Sequence, residues 1–179
     1  MIQIVVRRKL RIFILAVLVL ACSSCDLATK WLAKSFLHHA APIQIIKNYI
    51  ELRYTENTAI AFSMLQSIDD GLRLWIIYSL SSVAMGFLIY LIWKFRKGTF
   101  LPLIALMLIL SGAIGNISER IMRGYVIDFI HLHYFDKFSW PVFNVADILI
   151  TIGAVLLGLF MLKYNDETSE SEIFEEEQI

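Results

Sequence analysis

Charge is what this sequence is most short of. Only 18% of its residues are Asp, Glu, Lys or Arg and the formal net charge is zero, whereas soluble domains carry about a quarter of their residues as charges. A soluble globular domain is a poor fit, and no nucleic-acid partner is expected. Cysteine is nearly absent: Cys22 and Cys25 are the only two. They form a C-x-x-C spacing, but the four-span disulfide-generating membrane enzymes relay electrons through a second pair. Cys22 and Cys25 therefore read as small residues on a helix face. No glycine-rich phosphate loop, no G-x-S-x-G elbow and no internal repeat occur. Phosphate cradles and serine-nucleophile hydrolysis are left without support.

What the sequence has instead is apolar length. Hydrophobic residues make up 58% and aromatics 13%, with a mean hydropathy of +0.67. A helix needs about 20 apolar residues to cross a hydrocarbon core roughly 30 Å thick. Four stretches meet that length: Ile12–Trp31, Leu74–Trp93, Phe100–Ile117 and Val142–Leu162. The fold class expected is membrane all-α, with one four-helix domain over residues 1–164. Residues 165–179 form an acidic run with nothing to bury, expected to be a disordered tail.

Basic residues crowd two places, Arg7, Arg8, Lys9 and Arg11 at the start and Lys94, Arg96 and Lys97 in a short connector. Basic flanks favour the cytoplasmic side, so both termini are expected on that side of the membrane. The compactness of these clusters decides the orientation, because the plain count is eight Lys and Arg on that side against seven on the other. Val19-Leu20-Ala21 before Cys22 also spells a lipoprotein cleavage signal. Three further spans, and an apolar pattern resuming at Leu27, Ala28, Trp31 and Leu32, favour an uncleaved first helix.

Between the first two spans, Ile50–Thr55 alternates apolar and polar residues in the period of a half-buried strand. Ile43-Gln44-Ile45 reads as a second strand, and Asp69-Asp70-Gly71 as a turn before the second helix. The last outer segment contains Tyr125–Ile130, again strand-like and rich in aromatics suited to the headgroup level. Ser111 and Gly115, and Ala154 and Gly158, are four apart, the small-xxx-small spacing of close helix packing.

The informative residues are polar ones inside the spans, each costing about 2.5–3.5 kcal/mol at a helix centre. Asp26 and Lys30 stand i, i+4 in helix one, in the order that makes a structural ion pair. Asn116, Glu119 and Arg120 end helix three. Asn144, a candidate helix cap, and Asp147 open helix four. Asp147 falls five residues into its span, roughly 8 Å below the outer edge at 1.5 Å per residue. Asp128 is flanked by Val126, Ile127, Phe129 and Ile130. Two carboxyls in apolar surroundings suggest each other. Held close, they cannot both ionise; one keeps a proton while the other takes one from water, the division of labour of aspartic proteases. His131 and His133 alternate on the same strand but lack a third ligand, so no metal and no cofactor is expected.

These residues fall in blocks that resemble the bacterial lipoprotein signal peptidases, or signal peptidase II. Asp26-Leu27-Ala28-Thr29-Lys30 is similar to the family's D-x-x-[ST]-K, and Tyr54–Phe62 to R-N-x-G-A-A-F. Gly112–Arg120 is similar to G-A-x-G-N-x-x-D-R, Val126–Phe129 to V-V-D-F, and Phe143–Asp147 to F-N-x-A-D. The resemblance implies an outer-face β-cradle and an intramembrane aspartyl endopeptidase with Asp128 and Asp147 catalytic. It implies that Asn57, Asn116, Arg120, Asn144 and Ala146 shape the site or hold substrate, and that Asp26 and Lys30 support the architecture. The implied substrate is a prolipoprotein whose cysteine carries diacylglycerol, cut just before that cysteine, and the implied location is a bacterial inner membrane. The chain is expected to act as a monomer among membrane lipids. Two departures from the pattern matter. Glu119 replaces an aspartate that could brace Arg120, and Ala59 replaces a glycine after Asn57. A small transporter or channel subunit using the same carboxylates is the alternative from another class.

Overall fold

The computed structural model describes residues 2–58, 69–135 and 137–176. Among them, four helices are long and apolar enough to cross a membrane, with spans Lys9–Leu37, Trp75–Phe95, Phe100–Arg123 and Val145–Tyr164. The helices themselves are α1 (Ile2–Leu37), α2 (Asp70–Phe95), α3 (Phe100–Arg123) and α4 (Val145–Glu176). Side chains such as Phe13, Trp75, Val83, Phe87 and Leu159 are exposed on their outer faces; they are the lipid-facing surface of a membrane protein. Ala59 through Phe62 of the second sequence block lie outside the described residues.

The strands are β1 (Ile43–Ile46), β2 (Ile50–Asn57), β3 (Val126–Tyr134) and β4 (Phe138–Ser139), in an antiparallel sheet of order β1-β2-β3-β4. The cradle expected from the resemblance is present. Ala33 and Leu37 at the end of α1 pack with Ile127 and Phe129 of β3, which fastens the sheet to the bundle. At the opposite end, Leu88, Leu103, Leu106 and Met107 form the core of the α2–α3 hairpin.

Boundaries differ from the sequence reading in ways that matter for the site. Helix α3 runs past Ile117 to Arg123, so Glu119 and Arg120 are helical. It stops at Gly124, whose left-handed φ of 80° lets its N–H reach Arg120 O at 2.9 Å and turns the chain directly into β3. Helix α4 starts at Val145, three residues later than expected. Asp147 therefore lies in its first turn, shallower than five residues into a span. At its other end, α4 continues through the acidic run to Glu176 in place of a structureless tail. No glycine or proline stop follows Gly158, and glutamates are good helix formers. Asp69 is more than a turn residue, because its Oδ2 accepts from Gly71 N at 3.0 Å and Leu72 N at 3.3 Å and caps α2.

The packing faces also shift. On α1 the buried stripe is Ser23, Asp26, Lys30, Ala33 and Leu37, the alternating three-and-four spacing of one helix face. Ser23 Oγ donates to Ser111 O at 3.2 Å, while Cys25 is exposed and Cys22 only half-buried. Small residues do set the α3–α4 approach, but on α4 the one that matters is Gly153. A Cβ there would stand 2.6 Å from Ala105 O, whereas Gly158 has open space and Ala154 is exposed. Gly112 and Gly115 of α3 are equally tight, the first against Ala146 O and the second against Asp26 Oδ2.

Candidate active site

The site is built where α1, α3, α4 and β3 meet at the sheet end of the bundle. Asp26 is 0% exposed and Lys30 1%; their ion pair measures 2.8 Å. Burying an unpaired charge costs several kcal/mol, so each needs further partners. Asp26 Oδ1 accepts from Ala146 N at 2.8 Å, an N–H of the first turn of α4 that has no partner within its own helix. Lys30 Nζ donates to Asn116 Oδ1 at 2.8 Å and lies 3.5 Å from Glu119 Oε2. The expected i, i+4 ion pair is formed, and it also reaches the polar centre directly. Lys30 is one hydrogen bond from the residue that holds Asp147.

Asp147 Oδ1 accepts from Asn116 Nδ2 at 2.9 Å. Its Oδ2 accepts from Asn144 N at 3.1 Å, while Asp147 N donates to Asn144 Oδ1 at 3.1 Å. This reciprocal exchange is a capping box at the start of α4. The sequence reading set Asp147 apart from the cap; the structure makes it half of the cap. Asn144 Nδ2 also donates to Asp128 Oδ1 at 2.6 Å and to Asn116 Oδ1 at 3.2 Å. One asparagine thus touches both aspartates.

Asp128 arrives from the strand side. Phe143 O accepts from Phe129 N and Ile130 N at 3.0 and 2.9 Å, and Phe143 N donates to Ile130 O at 3.0 Å. These bonds tie the segment before α4 to β3 and set Asn144 beside Asp128. On the other edge Asp128 pairs in register with Thr55 of β2, and Asn57 Nδ2 donates to Asp128 Oδ2 at 2.8 Å. Asp128 is 2% exposed. Burial pushes its carboxyl up to about 6; the charge of Asp147 adds to the rise, against the opposing hydrogen bonds of Asn57 and Asn144.

Both aspartates, Asn57, Asn116, Asn144 and Arg120 line one cavity of about 530 Å³. Its far wall is apolar, formed by Ile77, Leu80 and Ala84 of α2 with Trp140 and Phe143. The cavity thus sets a polar wall with two carboxyls against an apolar one. Ala146, by contrast, is fully buried under Gly112 and Gly115, so it shapes the site by letting α3 and α4 approach. Glu119 takes Ile127 N at 3.0 Å and pairs with Lys30 and Arg123, so its contacts brace β3 and α1. The apolar wall on α2 had no signal in the sequence, because lining residues there look like any other lipid-span residues.

The family model for signal peptidase (SPase) II matches residues 16–163. The chain is 39% identical over 151 residues to a lipoprotein signal peptidase of Francisella tularensis subsp. novicida, covering 84% of this chain and 91% of that protein. It is 36% identical over 149 residues to a lipoprotein signal peptidase of Clostridium tetani, with 83% and 92% covered. A solved structure described as a bacterial membrane enzyme shares the fold with a TM-score of 0.72 at 23% identity, covering 87% of this chain and 92% of that one.

Proposed function

Because the chain belongs to the signal peptidase II family, membrane proteases of lipoprotein precursors, we propose that it is an aspartyl endopeptidase whose working pair is Asp128 and Asp147. The observation that carries this reading is the sharing of Asn144 by both carboxylates within one cavity. The pair holds one proton, with the more buried Asp128 as its keeper. Asp147 takes a proton from a water entering through the cavity mouth, and the water oxygen attacks the scissile carbonyl. Asp128 donates to the carbonyl oxygen, giving a neutral tetrahedral diol. On its collapse the C–N bond breaks, the leaving nitrogen takes the proton held by Asp147, and Asp128 regains its own from the diol hydroxyl. Asn57 and Asn116 hold the outer carboxylate oxygens in place, and Arg120 stands on the cavity wall facing the substrate backbone.

The substrate in this reading is a precursor whose cysteine already carries diacylglycerol, cut just before that cysteine by a single chain. Its acyl chains lie in the outer leaflet, which brings the bond to the end of the bundle where the sheet sits. Arg11 and the Lys94–Thr99 connector mark the opposite end, joined by Arg11 Nη2 donating to Thr99 O at 2.8 Å. Basic residues there support both termini being cytoplasmic. The test is incubation of the purified protein with a diacylglyceryl precursor and with the same precursor unmodified. Mass spectrometry should find cleavage only in the lipidated one, immediately before the modified cysteine. Equal cleavage of both, or ion flux into liposomes without proteolysis, would overturn the reading.

A further inference from the structure

Away from the cavity, the sheet carries a second cluster that the proteolytic reading does not use. Glu51 of β2 stands opposite His131 of β3, and His133 follows two residues along the same strand. That spacing returns to the same face of a strand. The two imidazoles stack with centroids 5.2 Å apart and planes at 12°. Glu51 and His131 are each only 6% exposed. One nitrogen or oxygen of each of the three residues lies within 4.8 Å of those of the other two. Sequence spacing offered two histidines without a third ligand; strand pairing supplies the third.

Hydrogen bonding shows where the lone pairs point. His133 Nδ1 lies 3.3 Å from Phe135 O. A carbonyl can only accept, so this nitrogen carries a proton, and in the neutral ring Nε2 then carries the lone pair. That Nε2 is buried and has no hydrogen-bond partner among the described residues. It faces Glu51 Oε2 at 4.0 Å, another acceptor, across a gap too wide for a hydrogen bond. Glu51 Oε1 is committed elsewhere, to His131 Nδ1 at 2.9 Å and to Arg53 Nε at 2.7 Å. His131 Nε2 meets Ser139 Oγ at 2.8 Å. A hydroxyl donates or accepts, so His131 can move its proton to Nε2 and free Nδ1 without losing that bond.

We propose that Glu51, His131 and His133 bind one divalent transition-metal ion of the zinc type, clipping β2 to β3. Two imidazoles and a carboxylate select such an ion over calcium or magnesium, which prefer oxygen alone. Tetrahedral bonds of about 2.0–2.1 Å place ligand atoms about 3.3 Å apart, so the 4.0 Å gap closes by about 0.7 Å and no separation, being at most 4.8 Å, by more than about 1.5 Å. Ser139 and the Phe135 carbonyl hold the outer ring nitrogens, the second layer of support that metal-binding histidines ordinarily have. Three protein ligands leave one position to water. The Arg53 guanidinium on the same carboxylate tempers the affinity. None of the three ligands lines the cavity that holds Asp128 and Asp147.

The test is titration of the chelator-stripped protein in detergent with Zn²⁺ against a chromophoric competitor, alongside thermal unfolding with and without the ion. One equivalent should bind with micromolar or tighter affinity and raise the unfolding temperature. In His133→Gln and Glu51→Gln the affinity should fall by about tenfold or more. It should be unchanged when Cys22, Cys25, His38 and His39 are all replaced. Co²⁺ on the unsubstituted protein should give a nitrogen–oxygen ligand-field spectrum without thiolate charge transfer, a readout that needs no variant. Substoichiometric binding, undiminished affinity in His133→Gln, or loss of binding with the cysteine and His38–His39 replacements would each overturn the assignment.

Discussion

Replacing Asp128 or Asp147 with asparagine is expected to lower cleavage of a diacylglyceryl precursor by on the order of 10³-fold or more, since each removes one partner of the proposed acid–base pair. The two changes are isosteric, so insertion and fold should survive. In Asp128→Asn the new amide can turn its oxygen to only one of two donors, Asn57 Nδ2 and Asn144 Nδ2. In Asp147→Asn the same conflict arises between Asn116 Nδ2 and Asn144 N. A buried donor left facing a donor costs about 1–3 kcal/mol, so each variant should melt earlier yet remain folded. Combining the two should cost little more activity than either alone, because residues that act as a unit do not add. Near-full turnover by either single variant would remove that residue from the chemistry.

Asn144→Ala is the second large expected effect, and it separates positioning from protonation. Its side chain takes Asp147 N, donates to Asp128 and donates to Asn116. Removing it costs a helix cap, about 1 kcal/mol of stability. It also frees both carboxylates to drift. Misplacement by about 1 Å is worth about 10²-fold in rate, and that is the loss expected in kcat, with KM for the lipidated precursor changed far less. A variant within a few-fold of the parent in kcat would show that the aspartates are held by other groups.

The elements were legible in the sequence where chemistry is local. Alternation marked β2, and apolar length marked the four helices. An acidic residue among Val126, Ile127, Phe129 and Ile130 marked Asp128 as out of place. Helix ends were less legible. Arg120 and Arg123 look like the interface beyond a span, yet α3 carries them because Gly124, not a drop in hydropathy, ends the helix. Asp147 is a capping residue in the first turn of α4, shallower than its distance from Val142 suggests, and its partners come from α3 and from Asn144. Lys30 read as half of an ion pair with Asp26, which it is. Its bond to Asn116 spans 86 residues of sequence, and no spacing reveals that. The same limit hid Glu51 from His131, since a metal triad split across β2 and β3 becomes visible only when the strands pair.

In the proposed mechanism Asp128 and Asp147 work by holding one proton between them. The dependence of kcat/KM on pH for the diacylglyceryl precursor tests it most directly, because that ratio reports the groups of the free enzyme. The carboxyl of Asp128 is raised to about 6, so its protonated fraction falls as pH rises through that value. A bell is predicted: activity declines on the alkaline side near pH 6 as the shared proton leaves, and on the acid side as both carboxylates become protonated. A rate that stays flat from about pH 4 to 8 would contradict a shared proton.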